Sequence, residues 1–152
     1  MRRFILAVLL SLGAAAGAQP AGVVTQPSPY PVRETLDRLS AAIRAAGWVV
    51  FTEIDHAAAA RAVDLELPAR IVLVFGNPRA GTGAMRGTPT LALDLPMRML
   101  VWQDGPAVRI TRSTGADTAE RVFARHGIVV PGPAQAASEA FMAGLVEAAL
   151  RP

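Results

Sequence analysis

"MRMLVWQDGPAVRITR", residues 97–112, decides the fold class. Two β-rich runs, "MRMLVWQ" and "AVRITR", flank Asp104-Gly105-Pro106, a turn signal that folds them back as a hairpin. Met97 and Met99 alternate with Arg98 and so share one strand face, where they read as core side chains and not as haem or copper ligands. A hairpin this late in the chain excludes a purely parallel sheet.

Upstream lies "RIVLVFGNPRAGTGAMRG", residues 70–87, whose first part is the most continuous apolar strand and is expected to be central. Its glycines, with Thr82 after Gly81, have the outline of a phosphate-binding loop. Such a loop needs a lysine after its last fixed glycine to reach the β- and γ-phosphates, and this chain contains no lysine. No nucleotide is therefore expected. Asn77-Pro78 and Thr88-Pro89 each place a capping residue before proline, the pattern that opens a helix, so two short helical pieces are expected across 78–93.

Outward from there the period changes twice. Leu36, Leu39, Ile43 and Ala46 recur at helical spacing, and Gly47 stands where a helix-ending glycine belongs. "WVVFTEID" follows as a strand, and Asp55 is placed to cap a short alanine helix over 57–63. Prolines around Gly22 to Thr25 confine that stretch to an edge strand. Asp117 and Glu120 have capping-box spacing for a helix ending near Gly127. After Pro131-Gly132-Pro133, the residues Phe141, Met142, Leu145, Val146 and Leu150 fall on one face of a final helix. The expected architecture is α+β, with helices on one face of a mostly antiparallel sheet.

The first residues read as a signal peptide: Arg2 and Arg3, a short apolar run from Phe4 to Leu12, and small residues allowing cleavage between Ala18 and Gln19. A periplasmic or secreted protein is expected, with a domain over 19–130 and a Pro/Gly linker and amphipathic helix over 131–152. With no cysteine, thiol catalysis, thiolate metal sites and disulfides are excluded. Without Arg2 and Arg3, 13 of the 15 basic residues remain, all arginine, against 12 acids. No basic run marks the chain, so neither nucleic acid nor, for the mature form, a membrane is expected as partner.

The stretches "FTEIDHAAAARAVDLELPARIVLVFGNPRAGTGAM" and "PTLALDLPMRMLVWQD" resemble the bacterial and archaeal family called domain of unknown function 302. The matching pieces are Glu53, Ile54-Asp55-His56, Leu65 to Pro68, Phe75 to Pro78, Gly81-Thr82 and Leu93 to Pro96. With the preceding helix the resemblance covers about residues 24–127 and leaves the final helix outside. It implies a curved antiparallel sheet with helices on one side, similar to the TATA-binding-protein-like arrangement, and no established activity. The chain departs from the family at 111–118, "TRSTGADT", where members often carry a stretch like "SYNDP".

Glu53 and Asp55 are two apart on a strand, so their carboxylates share a face, and His56 follows at the strand end. That set suits a metal, or a general base with an orienting acid; Asp55 also has a structural use as a helix cap. His126 precedes a helix-ending glycine, and a metal would need both histidines to converge. Asp94, between apolar neighbours, is expected to pair with Arg98 or His56 or to cap a turn. The candidate ligand-binding residues are thus Glu53, Asp55, His56, Asn77, Asp94, Arg98 and His126, with His56, Asp55 and Glu53 as the metal set. The expected function is a binding or sensing module for a small molecule or metal. The alternatives are a hydrolase or isomerase using His56 as base with a carboxylate partner, and a dimeric structural module without a ligand. A homodimer is left open, as are the cofactor and the catalytic residues.

Overall fold

Among the described residues, five antiparallel strands form a single sheet in the order β1-β5-β4-β3-β2. The structure, a computed structural model, describes residues 20–152; the expected signal peptide and its cleavage site lie outside the described residues. The strands are β1 (Val23–Ser28), β2 (Val49–Asp55), β3 (Arg70–Gly76), β4 (Met97–Asp104) and β5 (Ala107–Ser113). The helices are α1 (Val32–Ala45), α2 (His56–Arg61), α3 (Pro78–Gly87), α4 (Gly115–Thr118) and α5 (Gly132–Leu150). A 3-10 turn over Pro89–Leu93 follows α3, and α4 continues through a π segment to a second 3-10 turn ending at His126. The α+β class with an antiparallel sheet is as the hairpin at 97–112 required.

β3 is interior, but the middle strand is β4. Alternation sorts the two faces of the sheet. Leu73 and Phe75 on β3, Met99 and Val101 on β4, and Ile110 on β5 point to one side and are almost fully buried. Leu36, Leu39 and Ile43 of α1 and Met142, Leu145, Val146 and Ala149 of α5 close over them as one core. Each fully buried side chain of this kind contributes roughly 1.5–3 kcal/mol. The final helix is therefore a wall of the same core. Met97 packs against it and Met99 lies within it.

Helix ends follow local chemistry. Gly47 adopts φ +79 and ends α1, a left-handed conformation that disfavours side chains with a Cβ. The Asp55 carboxylate accepts from the Ala58 amide at 2.9 Å and starts α2. Asp117 does not open its helix as expected. Thr114 does, its hydroxyl accepting from the Asp117 amide at 3.1 Å, which moves the start three residues upstream. Asp117 instead pairs with Arg121 one turn on.

Candidate functional site

β3 delivers the chain at Gly76 to Asn77, whose side-chain oxygen accepts from the Arg79 and Ala80 amides at 3.0 and 3.3 Å. Pro78 supplies the first helical position, and α3 begins there. α3 carries Gly81, Gly83 and Gly87 and buries none of its residues, so it has little side-chain surface with which to seal onto the sheet. Between it and the sheet is a cleft of about 710 Å³. Ala80, Gly81, Ala84 and Met85 line it from α3, and Phe51, Thr52 and Val74 from the sheet. Leu95, Pro96, Met97 and Phe123 form further wall, and the Leu95–Pro96 peptide is cis. Trp48 also lines the cleft and packs against the core, stacked on Phe141 with centroids 4.6 Å apart.

Among the described residues no charged one lines this space; Asn77 and Thr52 are its polar side chains. The Asn77 oxygen is committed to the cap, which leaves its amide hydrogens to offer.

The carboxylate–imidazole chemistry of the sequence is distributed over two ends of the sheet. At one end, both Glu53 oxygens are held by Arg33 of α1 at 2.7 and 2.8 Å. The guanidinium holds the Glu53 carboxyl below the usual glutamate range, and the pairing raises Arg33. Asp55 caps α2 with one oxygen and faces Arg61 at 4.0 Å with the other. His56 is exposed on the first turn of α2, and its side chain makes no hydrogen bond or ion pair with any other described residue.

At the other end, Asp94 does not pair with Arg98 or His56. His126 Nε2 lies 2.7 Å from one Asp94 oxygen, and Arg125 Nη1 donates to the other at 3.1 Å. His126 Nδ1 lies 3.0 Å from the Thr90 hydroxyl, so the imidazole is held between a carboxylate and an alcohol. The reason is topological. Asp55 pairs with Ile71 and Met97 with Phe75, which puts the Asp94 loop four residues along β3 from Asp55, about 13 Å. Arg98, opposite Val74 in the ladder, points to the sheet face away from α1 and α5, where it is exposed. The two histidines stand at these opposite ends, and among the described residues no group of three metal-ligating side chains comes together.

Of the candidates, Asn77 alone lines the cleft; Asp94 and His126 tie together the segments that carry its Leu95, Pro96 and Phe123 wall. Trp48, Phe51, Val74, Met85 and Phe123 were not singled out from sequence. Apolar residues from separate elements carry no local motif that would single them out.

The domain of unknown function DUF302 matches residues 24–142, well into α5 and beyond the limit near 127 that the resemblance gave. The crystal structure of an uncharacterized conserved DUF302 protein from Bacillus stearothermophilus superposes with a TM-score of 0.70 at 15% identity, covering 87% of this chain and 100% of that one. The fluoride-specific ion channel FluC 1 of Brucella suis biovar 1 is 44% identical over 84 residues, which are 55% of this chain and 33% of that protein. FluC 2 of Brucella melitensis biotype 1 matches equally, over 31% of its length. The chain thus spans about a third of the curated relatives it matches. Among the described residues no helix is long and apolar enough to cross a membrane. The family match over most of the chain, and a shared fold at low identity, establish that this protein belongs to the DUF302 family.

Proposed function

We propose that the protein is a binding module for an uncharged, largely apolar small molecule, held in the cleft between α3 and the ends of β2 and β3. The observation that carries this reading is the cleft itself, about 710 Å³ and, among the described residues, without a charged one in its lining. A ligand with a buried charge would meet no counter-ion there, and desolvating that charge would cost several kcal/mol. A flat or branched hydrophobe instead meets Trp48, Phe51 and Phe123 and the two thioethers of Met85 and Met97, which adapt their shape to a guest. One polar atom on the ligand finds the Asn77 amide. The FluC relatives are named for fluoride-specific channels, but the shared stretch is about a third of each, and that activity is not part of this reading.

The test uses the neutral probe N-phenyl-1-naphthylamine, with fluorescence as readout. The wild-type protein is expected to enhance its emission saturably, and Ala84→Trp, which fills the cleft, to abolish the enhancement while keeping the circular dichroism of the fold. Equal enhancement by both proteins, or none by wild type, overturns the proposal.

A further inference from the structure

We infer that the ligand of the cleft carries a neutral carbonyl group, whose oxygen is received at the end of the cleft formed by Trp48 and Asn77. The inference rests on the binding module proposed for this cleft and narrows its ligand from an apolar molecule to an apolar ketone or ester. Hydrogen-bonding capacity decides it. Asn77 turns its side-chain oxygen to the Arg79 and Ala80 amides, so the group it has left is the Nδ2 amide, a donor. The Trp48 indole nitrogen can only donate. Among the described residues, neither Asn77 Nδ2 nor Trp48 Nε1 has a hydrogen-bond partner. The other tryptophan shows the usual arrangement, Trp102 Nε1 donating to the Thr111 hydroxyl at 2.9 Å.

Both donors stand at one end of the sheet. The last pair of the β2–β3 ladder there is Val49 with Gly76, and Trp48 and Asn77 are the next residues outward on the two strands. Gly76 leaves room at that end: a Cβ there would lie 3.3 Å from the Phe51 ring and 3.5 Å from Pro96, both in the cleft wall. Thr52 pairs with Val74, three residues and about 10 Å back along β3 from Asn77. Its hydroxyl hydrogen goes to the Glu53 carbonyl at 3.3 Å. The Trp48–Asn77 end therefore offers, among the described residues, two donors and no free side-chain oxygen. A carbonyl oxygen, with two lone pairs and no hydrogen of its own, can take both. An alcohol there would bring a hydrogen with no side-chain oxygen to accept it, and an unmade hydrogen bond is costly. A carboxylate would enter without a counter-ion.

The test uses three molecules of one shape, benzophenone, diphenylmethanol and diphenylmethane, as competitors for N-phenyl-1-naphthylamine. Two variants each remove one donor: Asn77→Ser keeps a capping oxygen but has no amide, and Trp48→Phe keeps an aromatic ring but has no N–H. The readout is the ratio of benzophenone to diphenylmethane affinity within each protein, so that a general loosening of the cleft cancels. Each variant is expected to lower that ratio at least about fivefold from wild type, because the hydrocarbon has no hydrogen bond to lose. Wild type is expected to bind benzophenone more tightly than diphenylmethanol. Failure of wild type to bind the naphthylamine probe overturns the cleft reading and this inference with it. Probe binding with the same ratio in all three proteins overturns this inference alone, as does tighter binding of diphenylmethanol than of benzophenone by wild type.

Discussion

Arg112, on the core face of β5, donates from Nη2 to the Glu139 carboxylate of α5 at 2.6 Å, and the second Glu139 oxygen accepts from the Gly115 amide at 2.7 Å. The Arg112 side chain is 4% exposed, so Glu139 neutralises a charge the core could not otherwise hold. Removing one member of a buried pair costs roughly 3–5 kcal/mol. Glu139 retains contact with water, which lowers the expectation for Glu139→Ala to about 2 kcal/mol. Urea unfolding of the two proteins at neutral pH measures it.

The same pair gives stability a pH dependence of definite sign. The hydrogen bond from Arg112 holds the Glu139 carboxyl below its ordinary value of 4.5, and Arg33 does the same for Glu53. Each contribution is complete above that ordinary value and is lost as pH falls through the lower folded values. Melting temperature is therefore expected to drop on acidification below the ordinary glutamate range, and to drop less in Glu139→Gln, which has no carboxyl to protonate. Thermal melts across acid pH check the difference.

Asp94 and His126 join the loop carrying Leu95 and Pro96 to the segment carrying Phe123. Asp94→Ala leaves the buried imidazole without its carboxylate partner and is expected to cost about 2 kcal/mol, as for hydrogen bonds to charged groups. These segments wall the cleft, so on the proposed reading affinity for the neutral probe falls as well. Unfolding and probe titration of one variant report both effects.

At the other end, the carboxylates are engaged by their own chain. With both Glu53 oxygens on Arg33 and Asp55 capping α2, zinc is expected to leave the melting temperature unchanged. Asp55→Asn keeps a capping oxygen and is expected to be nearly neutral, whereas Asp55→Ala costs about 1 kcal/mol. A zinc-dependent rise that disappears in His56→Ala would restore the metal set.

Those outcomes mark how far the sequence reads. The hairpin at Asp104-Gly105, the Gly47 stop and the Asn77 cap were legible because each depends on residues within one turn of each other. So was the inner face of α5, through helical period alone. Arg33–Glu53, Asp94–His126 and Arg112–Glu139 join residues 20, 32 and 27 positions apart, and no local spacing encodes them. Asp117–Glu120 misled for a related reason. Thr114–Asp117 has the same spacing, and the packing of Gly115 against α5 chooses between them.

That packing supports a paired prediction on two glycines. A Cβ at Gly115 would collide with the Gln135 carbonyl and press on the Glu139 amide, both backbone atoms of α5 that cannot swing aside. Gly115→Ala must push α4 from α5 and disturb the amide that Glu139 accepts from, at a cost of about 2–3 kcal/mol. Gly83, inside α3, meets nothing within 4 Å and has no positive φ. Gly83→Ala there removes freedom from the unfolded chain and is expected to stabilise by about 0.5–1 kcal/mol. Denaturant midpoints of the two variants are expected to move in opposite directions from wild type. A neutral Gly115→Ala would mean that α5 does not sit against α4 at this distance.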